Sequence, residues 1–188
     1  METFVWDVRI LGTPAVNRKC GKCGCGRFVS SGRFRVNANG SRIDVWLIFK
    51  CEHCNATWNM EILSRVKADS ISRELYSRFL DNDEALALQY ALDGEALCRS
   101  GAAADADALT LEIYGELPAG GDAQVIIKPV VALPVSVVRV IAQRLGISLS
   151  AVRRIEDAGL LEYTGSIRKA KLNADAVFTL RAGWDSER

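Results

Sequence analysis

Cys20-Gly21-Lys22-Cys23 and Cys51-Glu52-His53-Cys54 are two CxxC pairs with 27 residues between them. A CxxC on a tight turn aims two thiolates at one point, and two such turns complete a tetrahedral four-sulfur site. Thiolates are soft ligands, so the set favours zinc or an iron–sulfur centre over magnesium or calcium. Zinc is expected, because iron–sulfur cysteines more often come tightly clustered. Four thiolates leave no open position for a substrate or an activated water. One structural zinc ion on Cys20, Cys23, Cys51 and Cys54 is therefore expected. Cys25 gives a Cys-x-Cys alternative in which it replaces Cys23, or else a free thiol beside the cluster. His53 lies inside the second pair and is expected to contact the ligands or face solvent. Cys98 stands alone and reads as a small buried hydrophobe.

The stretch between the pairs has the pattern such a site needs. Arg27 to Val36 reads as a strand with a bulge at Gly32. Asn37-Ala38-Asn39-Gly40 is a turn signal, with Asn-Gly the favoured hairpin dipeptide. Ile43, Val45, Leu47 and Phe49 then alternate with Arg42, Asp44, Trp46 and Lys50, as in a half-buried strand. Thr57 to Ile62 supplies a third strand. Knuckle, hairpin, knuckle, strand is the zinc-ribbon plan, expected over residues 1–64. A thioredoxin-type reading of either pair would need a βαβ context that this pattern lacks.

Asp69 or Ser70 is expected to cap a helix ending near Leu80, and Asp81 to cap a second helix through Leu92. Gly94 is expected to end this helical hairpin. Ala102 to Ala108 reads as a small-residue linker, followed by strands over Leu109–Leu117 and Val125–Val130. Asp81, Asp83 and Glu84 read as helix-start charges that complement the macrodipole. Residues 65–124 are thus expected to form an acidic helical hairpin and linker.

Pro134 is expected to open a helix through Leu145. Gly146 turns the chain, and Leu149 to Ala158 forms a second helix capped by Ser148 or Ser150. Ala142, Gly146, Val152 and Ile155 fall where a helix-turn-helix places a packing residue, a turn glycine and two core residues. Residues 125–188 are expected to form this last module, and the fold class is α+β.

The chain has 188 residues, 49% hydrophobic and 25% charged, with a formal net charge of +1. That composition is globular and argues against a uniformly basic nucleic-acid coat. Residues 1–60 carry nine Lys/Arg and four Asp/Glu, net +5; residues 61–124 carry five and thirteen, net −8; residues 125–188 carry ten and six, net +4. Two basic ends therefore flank an acidic middle, which either attracts anionic partners or docks the ends onto the middle. His53 is the only histidine, and no Ser–His, nucleotide-loop or paired-acid pattern stands out. A non-enzymatic role is expected. The first residues lack the basic start and apolar core of a signal peptide. Lys128, Pro129, Pro134 and Arg139 interrupt the most apolar stretch, Val125 to Ala142, so no membrane span is expected. A cytoplasmic location follows, where clustered cysteines serve as metal ligands more often than as disulfides.

Two resemblances add to this. Leu145-Gly146-Ile147-Ser148-x-Ser150, Gly159-Leu160-Leu161 and the Asp175-Ala176-Val177-Phe178-Thr179-Leu180 strand make residues 134–180 similar to the S4 RNA-binding domain. The chain departs from that family at Leu149, where it has Arg, and at Ser136-Val137-Val138, where it has Arg-Leu-Asp. The resemblance implies an RNA-contacting surface, for which Arg139, Arg144, Arg153, Arg154, Arg168, Lys169 and Lys171 are candidates. Arg33 and Arg35, on one face of the hairpin, are further candidates for phosphate contact. Taken whole, the chain also resembles a bacterial family designated only as a domain of unknown function. The marks are the split CxxC ribbon, Arg33-Phe34-Arg35-Val36-Asn37-Ala38-Asn39-Gly40 and Asp44-Val45-Trp46-Leu47-Ile48. That resemblance implies a build and no chemistry. The expectation is a zinc-stabilised RNA-binding protein. A DNA-binding helix-turn-helix regulator and a zinc-stabilised protein–protein adaptor or redox switch using Cys25 stay open as alternatives.

Overall fold

Phe4, Trp6 and Val8 alternate with exposed neighbours, so the first residues form a strand with one buried face, β1 (Glu2–Leu11). The computed structural model describes residues 1–187. Its described residues are mixed α+β: two five-stranded sheets, a two-stranded ribbon and five α-helices. The chain packs as two compact units, residues 12–109 and residues 1–11 with the chain from Thr110 onward. This division differs from the boundaries after 64 and 124 drawn from charge and motifs. A two-part unit cannot be seen in local composition, because β1 joins strands about 100 or more residues away.

The unit of residues 12–109 holds β2 (Ala15–Asn17), β3 (Arg27–Asn39), β4 (Arg42–Cys51), β5 (Thr57–Lys67) and β6 (Ala103–Ala104). They form one antiparallel sheet in the order β5-β4-β3-β2-β6. The expected hairpin is present, turning at Gly40 and Ser41. The expected bulge is present too: pairing shifts between Ser30 and Phe34, where Gly32 has φ +68°. Residues 102–108, expected as linker, include β6, which closes the sheet edge against β2.

One sheet face carries Phe34, Ile43, Val45, Leu47, Phe49 and Met60 into the core. Three helices cover it: α1 (Arg73–Leu80), α2 (Glu84–Leu92) and α3 (Gly94–Arg99). Phe34 meets Phe79 edge-on at 5.0 Å. Capping differs from expectation for visible reasons. Ser70 Oγ donates to the Lys67 carbonyl (2.7 Å) in a short 3-10 turn, which leaves Ser72 to cap α1 by accepting from the Leu75 amide (3.1 Å). Asp81 ends α1 and accepts from Ser77 Oγ (3.1 Å). Asn82, at φ +54°, then turns the chain, and Asp83 caps α2 through the Leu86 amide (2.7 Å). Gly94 begins α3 instead of ending the region, because Asp93 caps it through the amides of Glu95 and Ala96 (both 3.0 Å). Cys98 faces solvent, correcting its reading as buried; Ala96 and Leu97 take the inward face of that short helix.

The other unit adds β7 (Thr110–Tyr114), β8 (Ala123–Pro129), β9 (Leu133–Ser136), β10 (Leu161–Tyr163), β11 (Lys171–Leu172) and β12 (Ala176–Leu180). Its main sheet runs β10-β12-β8-β1-β7, with β1 parallel to β8 and the other pairs antiparallel. β9 and β11 form the separate ribbon. Helices α4 (Val137–Leu145) and α5 (Leu149–Asp157) bury Val140, Ile141, Val152 and Ile155. Pro134 lies in β9 and not at a helix start; the Ser136 side chain takes the Arg139 amide (3.2 Å) and caps α4. Gly146 ends α4 in the left-handed conformation (φ +67°), and Ser148 caps α5 as expected. Trp6 packs edge-on against Phe178 at 5.6 Å and donates from Nε1 to the Glu116 carbonyl (2.9 Å). No helix among the described residues is long and apolar enough to cross a membrane.

Gly115 is the tightest glycine of this unit. It has φ +125°, and an added Cβ would run into the Val5 carbonyl oxygen and stand 3.0 Å from the Trp6 ring. Gly115→Ala is expected to cost on the order of 2–4 kcal/mol. Gly40→Ala, with open space around φ +60°, should cost only about 1 kcal/mol. Thermal unfolding of the two variants checks this; equal losses would contradict the Gly115 packing.

Candidate metal centre

Both cysteine pairs sit where one strand turns into the next: Cys20 and Cys23 between β2 and β3, Cys51 and Cys54 at the turn from β4 to β5. The two turns use the same hydrogen bonds. The Gly24 amide donates to the Cys20 carbonyl (2.9 Å), as the Asn55 amide does to Cys51 (3.0 Å). The Cys20 amide donates to the Cys25 carbonyl (2.7 Å), as the Cys51 amide does to Ala56 (2.9 Å). The residue after each second cysteine is left-handed, Gly24 at φ +78° and Asn55 at φ +57°. Glycine takes that conformation freely, and asparagine tolerates it better than most residues. Cys25 is therefore the counterpart of Ala56. It closes the turn with its carbonyl, and its Sγ lies 3.8 Å from the Arg27 carbonyl, outside the four-sulfur group.

The sulfurs of Cys20, Cys23, Cys51 and Cys54 all lie within 4.8 Å of one another. Cys20 and Cys54 are 3.7 Å apart, and Cys23 and Cys51 are 3.6 Å apart. A disulfide would need about 2.05 Å. Metal–sulfur bonds of about 2.3 Å in a tetrahedron give sulfur–sulfur edges of about 3.8 Å. The spacing thus fits one thiophilic cation shared by both turns. Cys20 and Cys51 are buried, Cys54 is half-buried and Cys23 is exposed, so the cluster opens to solvent on one side.

Local amides prepare the thiolates unequally. The Cys54 amide, followed by that of His53, holds the Cys51 thiol at about 6 against its desolvation. The amides of Cys23 and then Lys22 lower Cys20. For Cys23 the Cys25 amide also pulls downward. Desolvation and the three neighbouring sulfurs outweigh it, and the thiol is pushed up to about 12. Packed thiolates repel, so the last proton leaves only when a cation compensates the charge.

The surroundings hold the first turn in place. The Arg18 guanidinium lies over the Trp58 ring at 4.4 Å and donates to the carbonyls of Ser100 and Gly101, the latter at 3.1 Å. Trp58 in turn packs on Phe49 (4.9 Å) and Phe28 (5.8 Å). Nothing in the sequence pattern singled out Arg18 or Trp58. The Cys-x-x-Cys-Gly and Cys-x-x-Cys-Asn patterns left Cys25 open, and the matching hydrogen bonds of the two turns set it aside. His53 is exposed in the second turn.

The basic candidates fall in both units. Arg33 and Arg35 are exposed on β3, and Arg35 lies 5.7 Å from the Trp46 ring. Arg153 and Arg154 are exposed on α5, as are Lys169 and Lys171 beyond it. Arg139 and Arg144 are half-buried on α4, where Arg144 donates to the Gly115 carbonyl. Arg168 pairs with Glu156 (2.7 Å) and Asp157, so its charge is compensated locally.

A family model described as a protein of unknown function, DUF1062, matches residues 36–166. The match takes in the second cysteine pair and begins after the first. No curated protein and no solved structure matches the chain.

Loading the cluster with Zn²⁺ or Cd²⁺ at pH 7.5 is expected to release at least one proton, chiefly from Cys23. Affinity should rise with pH across the neutral range, because each ligand must be deprotonated. Calorimetry in two buffers of different ionisation enthalpy measures the proton count. Cys25→Ser should bind the same one equivalent, whereas Cys54→Ser should lose it; equal loss in both would contradict the ligand assignment.

Proposed function

The chain belongs to the DUF1062 family, and we propose that it is a non-enzymatic protein that holds one structural zinc ion and binds RNA. The observation that carries this reading is the convergence of four sulfurs at tetrahedral spacing from two matching turns. Four protein thiolates fill zinc's coordination sphere and leave no place for a reacting molecule. The ion would join two turns that are otherwise held only by their own backbone hydrogen bonds and by flanking contacts such as Arg18 on Trp58. The order of turn, hairpin, turn and strand supports a zinc-ribbon assignment for that part of the chain.

RNA binding is supported by exposed cations on regular elements. Arg33 and Arg35 project from β3, and Arg153, Lys169 and Lys171 are exposed around α5. The α4–Gly146–α5 helix pair supports the S4-like reading. Its closing strand β12 pairs with β8 and β10, so here the helix pair would work from a larger sheet. Phosphate contacts would supply the affinity and make it sensitive to salt.

Elemental analysis of purified protein should find one zinc per chain. Filter binding to total cellular RNA should retain the complex in low salt and lose it as salt rises. Replacing Arg153 and Lys169 by Ala should weaken retention and lower the slope of log affinity against log salt by about 0.7–0.9 for each phosphate contact removed. No retention even in low salt would overturn the RNA reading. Preferential capture of one DNA duplex would move the assignment to a helix-turn-helix regulator.

A further inference from the structure

On the outer face of the sheet in residues 12–109, Arg35, Trp46 and Glu61 stand side by side across three strands, each directly opposite the next. Their neighbours along the strands, Phe34, Leu47 and Met60, point into the core, so this row faces outward. Trp46 is only half-buried.

Next to this row the sheet opens. The β4–β5 pairing shifts twice, between Ile43 and Val45 and between Val45 and Trp46, so β5 carries extra residues and bows outward. A cleft of about 480 Å³ lies there, with Trp46 and Glu61 at one end and Ser64 and Arg65 along β5. That volume falls in the range of small-molecule sites, roughly 300–1,000 Å³. Arg65 sits at φ +50°, a costly conformation for a residue that is not glycine. Two groups hold it: the Asp44 carboxylate accepts its amide (2.6 Å), and Arg42 donates to its carbonyl (2.8 Å). Asp44 and Arg42 are thus spent on shaping the cleft. Among the described residues, no hydrogen bond or ion pair engages the Glu61 carboxylate or the Arg65 guanidinium. Arg35 lies over the Trp46 ring at 5.7 Å and does not line the cleft, whose wall at that end is Trp46 itself.

We propose that this cleft binds a guanine base of single-stranded RNA, with Trp46 as the stacking surface, Glu61 as the reader of the base edge and Arg65 as the phosphate contact. The chemistry selects the base. Any nucleobase stacks on an indole, and an indole flanked by a guanidinium is a good platform. Guanine alone among the four common RNA bases offers two adjacent donors, N1–H and the N2 amino group, to one carboxylate. Adenine and cytosine each set a donor beside an acceptor, and uracil sets one donor between two acceptors. An unpartnered Glu61 would be repelled by those acceptors and matched by guanine. Single-stranded RNA is commonly read in this way, by stacking an unpaired base and bonding its Watson–Crick edge.

This site rests on the RNA-binding reading for its strand, and the test separates the two. Labelled heptamers of uridine with one central guanosine or adenosine are titrated by fluorescence anisotropy in low salt. The guanosine oligomer should bind at least five-fold tighter. Trp46→Ala should weaken it by ten-fold or more, and Glu61→Gln should abolish the preference while leaving the adenosine oligomer's affinity nearly unchanged. Metal content and circular dichroism of both variants should match the parent, since both positions face outward. Measurable but equal binding of the two oligomers, or an unaffected Trp46→Ala variant, overturns the site. If total RNA is still retained in that case, RNA binding stands and the cleft falls. If no RNA is retained but guanosine monophosphate quenches the tryptophan fluorescence of the parent and not of Trp46→Ala, the cleft stands without the RNA reading.

Discussion

Four sulfurs can share one small cation only if two turns, formed 31 residues apart in the chain, arrive at the same point with the same facing. The β3–β4 hairpin must deliver them, and its register decides whether it can. Near the hairpin tip Asn39 faces Arg42 and Phe34 faces Leu47; beyond the bulge Ser30 faces Phe49 and Phe28 faces Cys51. The bulge shifts pairing by two residues. Without it Phe28 would face His53, and the second cysteine pair would be displaced by about 7 Å at the rise of an extended strand. A shift of two keeps every side chain on its own face, so the core survives the adjustment. Gly32, in the left-handed conformation, lets the strand make that correction.

The same bulge links the metal end of the sheet to its helical cover. Where the pairing breaks, the Phe34 amide turns to Asn82, which accepts it at 2.8 Å from the turn between α1 and α2. Asn82 can take that place because it is itself left-handed. On the other flank, Arg18 ties the first cysteine turn to the end of α3 through the carbonyls of Ser100 and Gly101. Two polar side chains, each meeting backbone groups far away in sequence, thus align helices, hairpin and sulfur cluster. An ion bound to the cluster would add its binding free energy to the stability of all three.

The unit built around β1 follows different physics. Its central strands, β1 and β8, are parallel, and Phe4, Trp6, Val125 and Ile127 are all buried in the described structure. Parallel neighbours need a long connection, and here 111 residues separate the end of β1 from the start of β8. The α4–α5 pair repeats an economical local design: a serine cap, an amphipathic helix, a left-handed glycine, and a second serine cap. Such a design packs equally well in nucleic-acid-binding and purely structural settings, so its chemistry lies in which cations stay uncompensated. Arg168 illustrates this, since two acidic residues of α5 take up its charge.

The sequence by itself determined whatever is local. Ligand type and CxxC spacing marked the four cysteines, period-two alternation marked the hairpin, Asn39-Gly40 marked its turn, and Gly146-x-Ser148 marked the joint between the last two helices. Left-handed tolerance after each second cysteine, Gly24 and Asn55, was also written there, but only the matching hydrogen bonds of the two turns separate Cys23 from Cys25. Tertiary structure decided the rest. It placed β1 between β7 and β8, chose Ser72, Asp83 and Ser136 over their acidic or proline neighbours as caps, turned Cys98 outward, and set Trp46 beside an unengaged carboxylate. The reason is physical: spacing and periodicity act through the covalent chain within a few residues. Strand partners and the meeting of sulfurs at about 3.7 Å depend on which distant segments are brought into contact, and the choice among neighbouring caps depends on the backbone path that those contacts impose.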